Sequence, residues 1–273
     1  MDDTQTEKSG KLMEFIHKLF DHAHKRYIMG YNPLLILAVF GDLVFPISMM
    51  LWLPKTHSQY RSKNDMTVDF ITHLHHESEQ RGVKLDQVEI LFDSAYCKQK
   101  VVTQAQQAGL SVISKPSNNH KFEWEGEWFT PKELIEQVKE RCWKFLEKNH
   151  DHQRIVATHP IYGSVILIIR RRKLKNKKVI YDVVMSTKVV YNGFQIHKRY
   201  RKRWEIELHF KYYKQHLYLG KGHGGKLGAI QSQLYCVALA GLMVALYRHQ
   251  LPRKVSFRSA TKRIRRCLYD GEL

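Results

Sequence analysis

The segment YRKRWEIELHFKYYKQHL, residues 200–217, has the spacing of an α-helix and an unusual set of polar side chains. One tyrosine, one arginine, one glutamate and one lysine recur along it: Tyr200, Arg203, Glu207 and Lys214. At about 100° per residue they fall within roughly 60° of one another on a single helix. Core-facing stripes are apolar, so this stripe is either a solvated face with an Arg–Glu pair or part of a functional site.

The composition indicates a polyanionic partner. The chain has 273 residues, with 45 Lys and Arg against 26 Asp and Glu, and a formal net charge of +19. Nucleic acid is the first candidate for such a basic protein, although charge alone is also compatible with a basic protein that binds none. Hydrophobic residues make up 43% of the chain, which is too many for a disordered one.

The cysteine pattern and the apolar runs predict a cytoplasmic protein without a membrane segment. The four cysteines form no C-x-x-C pair and follow no signal peptide, which indicates free thiols in a reducing compartment. The apolar run at residues 34–53 is interrupted by Gly41, Asp42 and Pro46. The run at residues 235–247 is shorter than a membrane span requires and favours a buried helix.

Strand and helix patterns alternate along the first part of the chain. PLLILAVF and LVFPISMMLWL predict two strands joined by a turn, and residues 68–81 predict an amphipathic helix. VEILF, residues 88–92, predicts a short buried strand that ends at Asp93. The carboxyl end of a strand in an open α/β sheet is where sites tend to form, so Asp93 is a candidate site residue.

The middle of the chain has a different pattern. SVILIIRRRKLKNKKVIYDVVMST predicts a β-hairpin around a basic turn, in which seven of the nine residues 170–178 are Lys or Arg. Such a turn is either a solvated loop or a phosphate contact. Arg170, Arg171 and Arg172 are the candidates for contact with DNA.

The resulting domain plan is an α/β core interrupted by an insertion. We expect the first part of the core over residues 1–114 and a β-rich insertion over residues 115–192. The rest of the core, with the Glu207 helix, follows over residues 193–250. A basic C-terminal tail occupies residues 251–273.

Carboxylates at three places in the chain suggest a metal site: Asp2 or Asp3 at its start, Asp93 at a strand end and Glu207 on the helix. Hard cations such as Mg²⁺ prefer oxygen ligands and keep waters for a substrate phosphate. Two such ions ~3.5–4 Å apart activate a nucleophile and stabilise a leaving oxygen. A basic surface around them would hold the DNA backbone.

These motifs resemble those of the DDE transposases of bacterial insertion sequences. One branch of that family carries its final glutamate in the motif Tyr-x2-Arg-x3-Glu-x6-Lys, which this chain matches from Tyr200 to Lys214. DSAYC resembles the motif of the second acid, at Asp93, and DDT…K-x-G that of the first, at Asp2. MST, ending at Thr187, also fits, and the resemblance covers nearly the whole chain.

The resemblance implies a fold and a chemistry. The fold would be an α/β, ribonuclease H-like mixed sheet flanked by helices, with a mostly β insertion before the glutamate. The activity would be DNA strand cleavage and transfer with Mg²⁺ or Mn²⁺. Asp2, Asp93 and Glu207 would be the catalytic metal ligands, with Asp3 as the alternative to Asp2.

The resemblance also implies partners. Tyr200, Arg203 and Lys214 would contact phosphates near the cut, and either Trp124 or Trp128 would stack on a flipped base. The partners would be element ends and target DNA in the bacterial cytosol or nucleoid, bound by a homodimer on paired ends.

The amino end departs from the family pattern. In such a fold the first acid ends a central strand, and here almost nothing precedes Asp2. Loss of a central strand removes ladder hydrogen bonds from its neighbours. We therefore expect a truncated chain, inactive by itself in transposition. A metal-dependent nuclease of the same fold and a non-enzymatic DNA-binding remnant are the alternatives.

Overall fold

The computed structural model describes residues 1–273 except 9–12, 14, 22–23, 149, 175, 177, 223–224, 254 and 271–273. It divides into two compact units. The first comprises Met1–Ser62 with Trp204–Leu273, and the second comprises Lys63–Arg203. Both contain helices and a sheet, so the α/β class predicted from the sequence is confirmed.

The described strands are β1 (Asp2–Asp3), β2 (Thr6–Glu7), β3 (His17–Asp21), β4 (Arg26–Phe40), β5 (Leu43–Trp52), β6 (Glu89–Phe92), β7 (Ser111–Ser114), β8 (Phe122–Trp124), β9 (Glu127–Phe129), β10 (Lys144–Glu147), β11 (His150–His159), β12 (Gly163–Lys173) and β13 (Val179–Ser186). The helices are α1 (Lys63–Gln80), α2 (Gln99–Gln107), α3 (Pro131–Val138), α4 (Gly193–Arg201), α5 (Trp204–His216), α6 (Leu227–Gln250) and α7 (Phe257–Asp270).

Strand β4 is the centre of the sheet in the first unit. β1 and β2 lie antiparallel to it in one continuous register, with Asp2 opposite Leu35 and Glu7 opposite Gly30. β3 and β5 occupy the other edge of β4. The antiparallel pair β4–β5 confirms the two strands predicted from the apolar runs.

Helices α5, α6 and α7 cover this sheet through an apolar core. Leu35 and Met49 from the strands pack with Phe210, Val237 and Phe257, one from each helix. All five side chains are buried. Burial of this kind supplies most of the favourable free energy of folding.

Helix α6 differs from its sequence prediction in length. It has 24 residues and, in its most apolar stretch, a mean hydropathy of 1.7. Within the described part of the chain it is the one helix that meets the length and composition criteria for a membrane span, so the prediction that this run is too short is wrong. In the first unit its Ile230, Leu234 and Val237 are core residues.

The predicted single helix over residues 200–217 is also wrong. Helix α4 ends at Arg201 and α5 begins at Trp204. Between them the N–H groups of Lys202 and Arg203 each donate at 3.0 Å to a carbonyl three residues back, which closes a tight turn. The two helices pack on different cores, because Tyr200 is buried in the second unit and Phe210 in the first.

The second unit contains an eight-stranded sheet in the order β6-β7-β13-β12-β11-β8-β9, with β10 on β11. β6 and β7 are parallel, and the other pairings are antiparallel. The strand predicted to end before Asp93 and the hairpin predicted around the basic turn are both confirmed. The predicted insertion, residues 115–192, lies within this unit.

Gly30 allows β2 to approach β4, which yields a test of the β1–β2 edge. A Cβ at Gly30 would lie 2.1 Å from the Thr6 carbonyl oxygen, so Gly30→Ala should lower the free energy of unfolding by about 1–3 kcal/mol through overpacking. Gly228→Ala is the control, because a Cβ there meets nothing within 4 Å. Urea titration of both variants measures the effect, and equal stability would refute the close approach.

Candidate active site

A pocket of about 420 Å³ in the first unit is lined by β1 and α5. Its acidic lining residues are Asp2, Asp3 and Glu207. The structure therefore brings together two of the three predicted ligand positions, from opposite ends of the chain.

One face of α5 forms the other side of the pocket. Glu207, Lys211 and Lys214 line it, and their spacing of four and three residues is that of a single helix face. Ile206 and Tyr213 are buried in the core of the first unit. The amphipathic pattern of α5 thus turns its glutamate and two lysines toward the pocket.

The strand β1 carries both candidate first acids. Asp2 lies opposite Leu35 and Asp3 opposite Leu34, and the Asp3 amide donates to Asp2 Oδ1 at 2.9 Å. Successive side chains of a strand point to opposite faces, yet both acids touch the pocket. The choice between Asp2 and Asp3 stays open.

Lys214 holds the segment that follows these acids. Its Nζ donates to Thr4 Oγ1 at 2.8 Å and to the Gln5 carbonyl at 2.7 Å. Burial lowers the pKa of Lys214, and the charge of Asp21 opposes that shift. The structure therefore gives Lys214 intramolecular partners, and its predicted contact with a DNA phosphate stays a prediction.

Asp93 lies in the second unit, directly after β6. Its Oδ1 accepts from the Ala95 amide at 2.8 Å, and its carbonyl accepts from Ser114 Oγ at 3.1 Å. Ser114 ends β7, the parallel neighbour of β6. Asp93 thus lies at the carboxyl edge of two parallel strands, as the sequence predicted.

In the second unit Tyr200 lies within electrostatic reach of Asp93, and Arg203 lies beside Tyr200. The Tyr200 side chain is buried with Ile113 and Ile196, and the Arg203 guanidinium lies 6.0 Å from its ring centroid. Burial, with smaller contributions from Asp93 and Asp182 and against the opposing charges of Arg203 and Arg170, raises the pKa of Tyr200 to about 12. The phenol is therefore neutral at physiological pH.

The hairpin arginines have partners that the sequence analysis missed. Arg170 donates to both carboxylate oxygens of Asp182, at 2.7 and 2.5 Å. Arg171 donates to Asp151 at 2.8 and 3.2 Å. Arg172 is exposed. Asp182 lies directly opposite Arg170 in the β12–β13 register, so the strand register was the missing signal.

Asp182 forms ion pairs with two cations, Arg170 and Lys115. Lys115 Nζ lies 2.7 Å from its carboxylate. Burial alone would raise the pKa of this carboxyl, but the hydrogen bonds and charges of Arg170 and Lys115 lower it overall. The charges of Arg170 and Arg171 are therefore paired with carboxylates of the protein itself. Their predicted contact with DNA stays a prediction.

The two candidate tryptophans have different surroundings. Trp124 is half-buried and lies under the Arg141 guanidinium, 4.4 Å from its ring centroid. Trp128 is 47% exposed. Both belong to the β8–β9 hairpin, and Trp128 has the more accessible ring.

The donor atoms of the pocket suit a hard divalent cation, because Asp and Glu oxygens are the ligands that Mg²⁺ prefers. Across the described ranges, no three His, Cys, Asp or Glu side chains form a group that could hold a metal ion. The structure thus gathers carboxylates in one pocket without showing a complete ligand set.

Comparison with known proteins identifies one related family. The family model described as "Transposase DDE domain" matches residues 2–243. No curated protein matches the chain. The matched range includes the pocket residues of β1 and α5, as well as Asp93, and ends before α7.

Removal of the Lys214 ammonium should loosen the start of the chain. The Thr4 and Lys8 amides donate to Pro33 and Met29 carbonyls, so their exchange with solvent reports on this edge. In Lys214→Met we expect both to exchange about tenfold faster or more, because a charged hydrogen bond contributes roughly 1.5–3 kcal/mol. Lys211→Met, on the same pocket wall, is the control. Unchanged protection in Lys214→Met would show that this contact does not hold the edge.

Proposed function

Because this chain belongs to the family of proteins with a transposase DDE domain, we propose that its chemistry is cleavage of DNA at the ends of an insertion sequence and joining of those ends to target DNA. The cleavage assay below tests whether the chain carries out this chemistry by itself. Transposase function is what the family supports. The observation that carries the catalytic part is the pocket where Glu207 and the acids of β1 occur together.

The metal ligands in this proposal are Asp2, Asp93 and Glu207, with Mg²⁺ or Mn²⁺ as the ion. Asp2 and Glu207 line one pocket, and Asp93 is added on the resemblance to the family's three-acid set. When bound, such ions activate the attacking water or 3′-hydroxyl and stabilise the leaving oxygen. Asp3 is the alternative to Asp2.

The cations of the site have separate roles. Lys211 is exposed at the pocket, so its ammonium is available to a DNA phosphate. Lys214 holds the strand segment next to Asp2 and Asp3 through Thr4 and Gln5. Arg203 and Tyr200 are proposed to contact the backbone near Asp93.

Trp128 is proposed to stack on an unpaired base. It is 47% exposed, whereas Arg141 lies over Trp124.

Trp128→Ala should weaken binding to a duplex with one unpaired terminal base by about 1–3 kcal/mol, the usual worth of base–aromatic stacking. Binding to a fully paired duplex should change little. Trp124→Phe is the control, because it keeps an aromatic ring beneath Arg141. Fluorescence anisotropy measures the binding of the unaltered chain and of both variants to each of the two duplexes. Equal binding of Trp128→Ala and the unaltered chain to the unpaired end would refute this role.

Removal of one pocket carboxylate tests the proposed chemistry. With Mg²⁺, the chain and DNA carrying the sequences that flank its gene, Glu207→Gln should lower strand cleavage roughly 100-fold or more, the scale set by disturbed metal sites. DNA binding should persist, because phosphate contacts supply it. Glu205→Gln, on the same helix but outside the pocket lining, should cleave normally.

The products separate the proposal from its alternatives. Joined 3′ ends support a transposase, and cleavage without joining indicates a nuclease. Binding without cleavage in the unaltered chain indicates a DNA-binding remnant. Cleavage that survives Glu207→Gln would overturn the assignment of the pocket.

A further inference from the structure

Helix α7 lies outside the matched family range and is unusually basic. Its sequence FRSATKRIRRCLYD contains no acidic residue before Asp270. Five of its residues are cationic: Arg258, Lys262, Arg263, Arg265 and Arg266. The family resemblance assigns no role to this helix.

The apolar side of α7 is already used inside the first unit. Phe257 and Ala260 are buried in its core. The Phe257 ring stacks on Tyr212 with centroids 4.8 Å apart and an interplanar angle of 8°. The helix is therefore anchored, and its orientation on the first unit is defined by packing.

The opposite side of α7 presents a row of cations. Arg258, Lys262 and Arg266 are exposed, and their spacing of four residues places them within about 80° on the helix surface. Among the carboxylates whose side chains the structure describes, a set that does not include Asp270, none forms an ion pair with any of the three. Their charge is available to an external anion.

Arg265 extends this row toward the end of α5. Its Nη2 donates to the His216 carbonyl at 2.6 Å, and its guanidinium lies 5.4 Å from the Tyr218 ring centroid. Burial lowers the pKa of His216, and the charges of Arg258, Arg265 and Lys262 lower it further. Arg258, Lys262 and Arg265 of α7 thus all lie within electrostatic reach of His216.

We propose that the α7 basic surface, formed by Arg258, Lys262, Arg265 and Arg266, binds the phosphate backbone of duplex DNA without regard to base sequence. Arg258, Lys262 and Arg266 form an exposed row on an anchored helix, with the half-buried Arg265 beside them. Such a row of cations matches a polyanion, and phosphate contacts carry no sequence information. This surface uses neither the metal nor the pocket, so it is separate from the proposed strand cleavage.

The anchoring of α7 favours DNA over an anionic membrane surface. A membrane-surface helix inserts its apolar face between lipids. In α7 that face is occupied by the core contacts of Phe257 and Ala260. Leu268 and Tyr269 are exposed at its carboxyl end, so binding to lipid is tested as a competing outcome.

The test measures the salt dependence of DNA binding by the full chain in the presence of EDTA. A labelled duplex of random sequence is titrated by anisotropy at several salt concentrations. For Arg258→Gln/Lys262→Gln/Arg266→Gln we expect the slope of log K against log salt to become shallower by about 2.7, or ~0.9 per lost phosphate contact. Affinity should fall at least roughly tenfold at moderate salt.

The control carries the same loss of charge elsewhere. Lys55→Gln/Lys84→Gln/Lys132→Gln removes three exposed lysines from other parts of the chain and should keep the slope of the unaltered protein. Arg258→Lys/Arg266→Lys should bind normally, because charge rather than the guanidinium fork is needed. Circular dichroism verifies that each variant is folded. If the triple α7 variant does not fold, Lys262→Glu alone carries the test and should make the slope shallower by about 1.

Three results would overturn the proposal. In the first, the α7 variant has the slope of the unaltered chain. In the second, both triple variants weaken binding equally, which would indicate a diffuse effect of net charge. In the third, the α7 variant retains DNA binding but loses binding to phosphatidylserine vesicles, which would make this helix a membrane contact. Loss of cleavage in Glu207→Gln with intact DNA binding leaves the α7 proposal untouched.

Discussion

The pairing of residues 2–7 with the edge of β4 is the constraint on which the pocket of the first unit depends. The register runs without interruption from Asp2 opposite Leu35 to Glu7 opposite Gly30. Gly30 permits the approach, because any Cβ there would collide with the Thr6 carbonyl. Lys214 then fastens the segment to α5 through Thr4 and Gln5. Backbone hydrogen bonds and the half-buried ammonium of Lys214 thus place the acids of β1 in the pocket with Glu207.

The cationic side chains of this protein fall into two groups, those paired with carboxylates and those exposed without such a pair. In the second unit, arginines are paired with carboxylates: Arg170 with Asp182, Arg171 with Asp151, and Arg199 with Glu89. Such pairs stabilise or position local structure and leave little charge for an external partner. Arg258, Lys262 and Arg266 of α7 are exposed and form no ion pair with the acids whose side chains the structure describes. The location of the unpaired cations is therefore a better guide to a DNA-binding surface than the net charge of +19.

Several elements were predictable because they depend on local pattern. The β4–β5 pair followed from two apolar runs around a turn, the β12–β13 hairpin from two β-branched runs, and the position of Asp93 from a short apolar strand. In each case alternation or strand length is written in consecutive residues. The prediction of one helix over residues 200–217 was wrong because the helical spacing of side chains continues across Lys202 and Arg203, where the structure has a turn between α4 and α5.

The sequence by itself determined the α/β class, the acids and the four-residue motif that points to the transposase family, because these depend on residue identity and spacing. Only the tertiary structure decided that Asp182 neutralises Arg170, that Lys214 holds the strand segment after Asp3, and that Arg258, Lys262 and Arg266 of α7 are exposed. These outcomes depend on strand register and on contacts between residues as far apart as Thr4 and Lys214. Such contacts arise from the packing of whole helices and strands, so the local sequence pattern does not predict them.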